Sequence, residues 1–310
     1  MTEITSKNYD IIIVGGGAAG LTAAIYTSRK MLSTLLVTPE VGGQAALTNW
    51  VENYPGVTET DGFLIMQNFK KQAEKFGTQF YTSKITKINK INSGFELVCE
   101  NAVSLTSRAV ILAFGLQHRL LNIGGEKKYT GRGVAYCATC DGPLYKNKTV
   151  AVVGGGNSAL GAAEYLSSLT NKVYLLNRNA NFSGDDFIVN RIKKISNIEI
   201  MHNTAVMEIK GDIIVKSLLI KIKDDEQEIP IDGIFIEIGY QAKTDWLKGL
   251  IELNDRGEIL INQNNQTNVE GIFAAGDATS VSHKQIVIAA GEGAKAALSA
   301  YYYLKNNNNY

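Results

Sequence analysis

Short apolar runs without polar alternation recur along the chain. Residues 9–14, Tyr-Asp-Ile-Ile-Ile-Val, are rich in β-branched side chains, the mark of a parallel strand covered on both faces. Residues 21–30 then read as a helix and 34–37 as a second strand, completing a β-α-β unit. The same succession returns 139 residues later, as a strand over 148–153, a helix to about Leu169 and a strand over 173–176. Between the two, Phe63, Met66, Phe69, Ala73 and Phe76 recur at helical spacing and predict a core-facing stripe. Residues 79–112 read as short alternating strands with Cys99 as a small buried residue, and 109–114 as another buried strand. A strand pattern over 233–239 closes the inserted stretch. An apolar strand then ends in Gly276-Asp277, and a last helix runs from about Gln285 to Leu304. Residues 306–310 carry no pattern and are expected to fray. The predicted class is α/β, with two dinucleotide-binding (Rossmann-like) domains, the second inserted in the first.

The junctions carry the chemistry. Gly15-x-Gly17-x-x-Gly20 lies between the first strand and its helix. Small residues there make a tight turn, let the backbone approach a pyrophosphate and let the helix pack on the strand. Backbone N–H groups at the helix start then face the phosphates. The acid expected at the end of the second strand is missing. Thr38 and Pro39 stand there with Glu40 slightly beyond, which argues against NAD at this first site. In the second unit Gly154-x-Gly156-x-x-Ala159 opens the helix, Asn177 takes the acid position and Arg178 follows. An arginine there can pair with a 2′-phosphate, or it is an ordinary solvated charge. Gly42-Gly43-Gln44 and Val51–Gly56 read as turn-rich polar loops, and Asp277 is either a ribose or ribityl ligand or an ordinary turn residue.

Composition narrows the class. The 310 residues suffice for two domains, and 45% apolar with 20% charged residues describe a globular protein. A net charge of +1 favours neither nucleic acid nor a membrane surface. Runs such as 11–14 and 109–114 are too short to span a bilayer. The first seven residues lack the apolar core of a secretory signal. With only three cysteines, a reducing cytoplasm is the expected location.

Two of those cysteines form Cys137-Ala-Thr-Cys140, followed by Asp141. Such a turn can hold its sulfurs within disulfide reach, and one thiol pKa in such pairs is often depressed. Alone, the motif fits a redox dithiol or half a zinc site. Zinc needs four ligands, and Cys99 with His118, His202 and His283 offers no suitable spacing, so no metal is expected. A dithiol placed between two nucleotide loops points to electrons moving from a nucleotide cofactor to a disulfide.

GGGAAG at 15–20, GGQ at 42–44, ENYPG at 52–56, CATCDGP at 137–143, GGGNSA at 154–159 and GIFAAGD at 271–277 together resemble the low-molecular-weight thioredoxin reductases, FAD-dependent members of the pyridine nucleotide-disulfide oxidoreductase family. The resemblance covers nearly the whole chain. It implies an FAD-binding domain over 1–117 and 243–310, an NAD(P)H-binding domain over 118–242 carrying the dithiol, a homodimer, and thioredoxin or a thioredoxin-like protein as partner. By motif, Gly15, Gly17 and Gly20 would hold the FAD pyrophosphate. Gln44 and Asn53 would meet the flavin side, Ile85 the adenine side, and Gly115 the same cofactor. Asp277 would bind the ribityl chain, and Lys284, Gln285 and Ile286 the isoalloxazine region. Cys140 would face the flavin, Cys137 would exchange with thioredoxin, and Asp141 would be the acid-base residue. Gly154, Gly156, Asn157, Ser158 and Arg178 would hold NAD(P)H. A domain rotation about 117–120 and 240–244 is implied as well.

Three positions depart from that family. Its His-Arg-Arg-x-x-x-Arg signature reads Asn177, Arg178, Asn179 and Ser183 here, so one arginine of three remains. Charge-assisted bonds contribute ~1.5–3 kcal/mol each, so two losses weaken NADPH by ~10² or more. The expectation is poor preference for NADPH over NADH, or a different donor such as ferredoxin. A non-catalytic flavin and dithiol redox sensor is the reading from another class, separable by turnover. Phe114 replaces the family's usual threonine, and Lys284 its usual arginine, which keeps the charge and loses bidentate geometry.

Overall fold

The computed structural model describes residues 8–47, 51, 53–57 and 60–307. Glu52 of the ENYPG motif, the N-terminal stretch 1–7 and the tail 308–310 lie outside the described residues. The chain forms two compact units, one up to Gln117 and from Gln241 onward, the other His118–Tyr240. The architecture is α/β, with a mixed, mainly parallel sheet in the first unit and a parallel five-stranded sheet in the second.

In the first unit, strand Asn8–Gly16 lies between Thr34–Val41 and Ser104–Leu112, parallel to both. Ile11, Ile12 and Ile13 are fully buried, as a strand covered on both faces requires. The edge of Ser104–Leu112 is shared. Antiparallel Gly94–Cys99 pairs with its first half, and parallel Ile272–Ala274, arriving from far along the chain, pairs with its second. Helix Ala18–Arg29 covers one face with the last helix, Ile286–Asn306. A Cβ on Gly293 would stand 2.1 Å from the Ala19 carbonyl, so only glycine lets these helices approach so closely. That contact fixes where the last helix begins.

Helix Gly62–Lys75 departs from the predicted stripe: Ile65, Met66 and Ala73 are buried, while Phe63 and Phe76 are exposed. Each residue turns the helix by about 100°, so the adjacent pair Ile65–Met66 rotates the buried face away from Phe63. Phe76 caps the C-terminus, outside the helical repeat. Cys99 is buried, as its alternating strand predicts.

In the second unit, five parallel strands run in the order Ile198–His202, Lys172–Asn177, Thr149–Val153, Gly233–Ile236, Val134–Ala135. An antiparallel three-stranded sheet, Thr204–Gly211, Val215–Ile222 and Asp225–Pro230, covers part of it. Among the described residues, no helix is long and apolar enough to cross a membrane.

Candidate active site

The first glycine loop floors a cavity of about 550 Å³ within the first unit. Gly15 has φ +112°, and a Cβ there would meet the Ala113 carbonyl oxygen at 2.3 Å. A Cβ on Gly20 would lie 1.9 Å from the Gly15 carbonyl oxygen, so Gly20 packs behind the loop and not in the cavity wall. Gly17 is the open position: a Cβ there meets nothing nearer than the Gly42 carbonyl, 3.9 Å away. The first turn of helix Ala18–Arg29 therefore presents unpaired N–H groups beside clear space, a shape that fits a phosphate.

The remaining wall comes from distant segments. Gln44, Ile85 and Gly115 line the cavity, as do Asp277, Lys284 and Ile286. Asn53 and Gln285, 232 residues apart in sequence, meet there: the Asn53 amide donates to Gln285 Oε1 at 3.2 Å. Asp277 is half-buried, and burial pushes its carboxyl above the ordinary range against the pull of Lys284. Lys284 Nζ donates to the Thr279 carbonyl at 2.6 Å and pairs with Glu258 at 3.3 Å. Its charge is thus anchored before it meets any ligand.

Two wall features escape a reading of the sequence. The second strand continues past Val37 to Val41, which carries Glu40 to the cavity. Glu40 supplies the strand-end acid that counting from the apolar run leaves out of place. Phe114 also faces the cavity, its ring 5.5 Å from that of Trp246. This aromatic pair gives the substitution at Phe114 a place in the wall. Trp246 has no local signal in the sequence.

The dithiol lies in the second unit. Cys137 and Cys140 form a disulfide, with Cα atoms 5.4 Å apart. Cys137 caps the single turn Ala138–Asp141, and its sulfur accepts from the Cys140 backbone N–H at 3.2 Å. The Thr139 hydroxyl lies 3.3 Å from the same sulfur. Cys140 is the exposed member and Cys137 the half-buried one. Asp141 is half-buried next to them, and burial raises its carboxyl pKa. Among the described residues, no group of three or more His, Cys, Asp or Glu comes together as a metal site.

The second glycine loop repeats the first. Gly154 has φ +147°, and a Cβ there would stand 2.2 Å from the Glu237 carbonyl oxygen, while Ala159 is fully buried in the third small position. Asn157 and Ser158 are exposed at the helix start. Asn177, at the acid position, is buried and committed internally: it donates to the Asn181 carbonyl and accepts from the Asn179 N–H. Ser183, where the resemblance expects the third arginine, is tied through its N–H to the Gly155 carbonyl at 2.8 Å. The Asp185 carboxylate accepts from the Asn157 amide at 3.1 Å, at the start of the helix that follows the second glycine loop. That carboxylate carries no spacing signal in the sequence.

Residues 9–293 match the family described as pyridine nucleotide-disulphide oxidoreductase. A subunit of alkyl hydroperoxide reductase from Staphylococcus aureus is 42% identical over 312 residues, covering 99% of this chain and 61% of that protein. The chain thus spans about three-fifths of that curated relative. Lactococcus lactis thioredoxin reductase superposes with a TM-score of 0.86 at 33% identity, covering 96% of this chain and 99% of the other. The T. acidophilum thioredoxin reductase gives 0.83 at 35% identity, with the same coverage.

Proposed function

The chain belongs to the pyridine nucleotide-disulphide oxidoreductase family, and from that premise we propose that it is an FAD-dependent disulfide reductase acting on a thioredoxin-like protein. The observation that carries this reading is one chain holding both a phosphate-shaped glycine cradle and a Cys-x-x-Cys disulfide. In this reading the first unit holds FAD, with Gly15 and Gly17 at the pyrophosphate and Gly20 setting the loop behind them. Glu40 takes a ribose hydroxyl. Gln44, Asn53 and Gln285 take the flavin end, and Asp277 and Lys284 the groups between. The second unit holds the nucleotide through Gly154, Gly156, Asn157 and Ser158. When bound, the nucleotide and flavin supply two electrons to the disulfide.

The chain's own residues manage sulfur and proton. Cys140 is exposed to the incoming electron pair, and Cys137 is the sulfur that leaves. Hydrogen bonding from the Cys140 N–H stabilises the thiolate on Cys137, which then attacks the acceptor's disulfide. Asp141, with its pKa raised by burial, donates the proton taken by the other sulfur. Because its acid form persists to higher pH than an ordinary aspartate, the rate should fall as pH rises through that raised pKa. Asp141→Asn is expected to slow turnover ~10²-fold and remove that limb while flavin content stays unchanged. An unaltered pH profile in the variant would remove its acid role.

The donor is proposed from the second loop. With Asn177 internally bonded, Ser183 in place of an arginine and Asp185 nearby, NADPH should not be preferred over NADH. The test is anaerobic mixing of the flavin-loaded protein with each nucleotide while flavin absorbance is followed. Faster bleaching by NADPH would mean that Arg178 suffices. If neither nucleotide bleaches a flavin that dithionite reduces, a non-nucleotide donor such as ferredoxin replaces both.

A second reading concerns the acceptor. The 42% identity to a component of alkyl hydroperoxide reductase favours an acceptor in a hydroperoxide-reducing system. The dithiol step is unchanged, and steady-state rates with each class of acceptor separate the two. A sensor would turn over with neither.

A further inference from the structure

Strand Gly233–Ile236 lies between Val134–Ala135 on one side and Thr149–Val153 on the other. Phe235 is level with Ala135, and Ile236 with Val153. Continuing both parallel registers places Glu237 opposite Cys137 on one side and next to Gly154 on the other. Three contacts agree with this placement. The Glu237 N–H donates to the Val153 carbonyl at 2.8 Å, and Gly154 closes on the Glu237 carbonyl so tightly that a Cβ would reach 2.2 Å. The Glu237 carboxylate accepts from the backbone N–H of Ala138, the residue after Cys137. An acidic side chain is therefore built into the floor of the redox turn.

We propose that Glu237 is a positioning residue for the dithiol, whose carboxylate takes up a proton as the Cys137–Cys140 disulfide is reduced. This rests on the reading of that pair as a redox dithiol. A two-electron donor, reduced flavin in the enzyme or a small dithiol in the test, breaks the S–S bond. Two protons enter: one goes to the Cys140 sulfur and one to the Glu237 carboxylate, and Cys137 is left as thiolate. The negative charge moves from carboxylate to sulfur, so no net charge is added to the turn. Removing that addition lowers the cost of a thiolate next to an acid.

The surroundings support such an exchange. Burial pushes the Glu237 carboxyl up to about 7, against the pull of the Ala138 N–H, so its proton is exchangeable at neutral pH. Tyr240 has its hydroxyl pKa raised by burial and then by the Glu237 charge, and on the redox turn and just beyond it burial raises Asp141 and Tyr145. Tyr136 gives its hydroxyl to Glu126 at 3.0 Å. His118 stacks on Tyr240 and Tyr136, and burial lowers its pKa, which keeps it neutral. Arg119 lies at the same strand end but is engaged with backbone, its N–H on the Gly239 carbonyl and its Nε on the Tyr240 carbonyl, so burial and the Ala138 N–H, not a cation, set the Glu237 titration.

The test measures the dithiol–disulfide equilibrium of the flavin-loaded protein against dithiothreitol across neutral pH, with dye-detected proton uptake on reduction. Above the carboxyl's titration point the wild type should take up one proton more than Glu237→Gln. The two equilibrium constants should then diverge tenfold per pH unit. Glutamine keeps the size and an acceptor for the Ala138 N–H, so a purely structural role would leave the pH dependence unchanged. Equal proton counts in the two proteins would overturn the proposal. Should the variant fold poorly, the wild type alone decides, because its uptake must rise by one proton across that point. A disulfide that dithiothreitol cannot reduce at all would instead overturn the redox reading itself.

Discussion

Cys140→Ser is expected to reduce turnover of a disulfide acceptor by roughly 10⁴-fold while leaving the flavin spectrum intact, because loss of a covalent participant removes the step itself. The cysteine turn and the glycine-lined cavity belong to different units, so flavin content is not at stake. The geometry also predicts what the disabled protein does. The hydrogen bond to the Cys137 sulfur comes from the backbone of residue 140, which serine retains. Cys137 therefore keeps its stabilised thiolate and attacks the acceptor. With no Cys140 thiol to resolve it, the mixed disulfide accumulates. Cys137→Ser should be equally inactive yet trap little, since the residue-140 N–H and the Thr139 hydroxyl both converge on the sulfur that this change removes. Non-reducing electrophoresis reads the difference with a single-cysteine acceptor presented as its mixed disulfide with thionitrobenzoate, which Cys137 attacks at the acceptor sulfur while thionitrobenzoate leaves. Trapping by Cys137→Ser in place of Cys140→Ser would reverse the two roles, and wild-type turnover in either variant would remove the dithiol from the mechanism.

The parts of this site legible in the sequence are those whose chemistry is local. Gly15 and Gly154 mark backbone that only glycine adopts without strain, and each follows an apolar strand, so fold class and loop position can be read together. The Cys137–Cys140 spacing likewise encodes its own geometry. Pieces that depend on strand length or on distant pairing are not legible. Glu40 looks displaced in the sequence because the strand outlasts its apolar run. Asn177 looks like a changed ligand, whereas its side chain is consumed by its own turn. The meeting of Asn53 with Gln285, the pairing of Phe114 with Trp246, and strand Gly233–Ile236 beside Val134–Ala135 all arise from sheet order and the long return of the chain. Phe63 shows the opposite error: helical spacing is present, but a neighbouring isoleucine decides which face is buried.

The second large effect separates two glycines that a motif treats alike. Gly20→Ala should lower both stability and flavin content, whereas Gly17→Ala should lower flavin affinity alone. A glycine inside a helix normally costs ~0.5–1 kcal/mol relative to alanine, so alanine at position 20 would otherwise stabilise. Here its Cβ would be forced to 1.9 Å from the Gly15 carbonyl oxygen, a backbone atom that cannot rotate aside. The helix must move off the strand, an overpacking cost of ~1–3 kcal/mol or more that outweighs the propensity gain. Its displaced N–H groups then no longer converge on the loop. At Gly17 the backbone is extended, with φ −81°, and the nearest atom to a new Cβ is 3.9 Å away. The fold accepts that methyl, which instead enters the space that the proposed pyrophosphate would take. Thermal unfolding of the apo proteins should therefore fall for Gly20→Ala and stay within ~0.5 kcal/mol of wild type for Gly17→Ala. Flavin affinity should drop tenfold or more for Gly17→Ala, about 1.4 kcal/mol. Unchanged affinity in Gly17→Ala would place the cofactor's phosphates away from this loop, even if Gly20→Ala unfolds as expected.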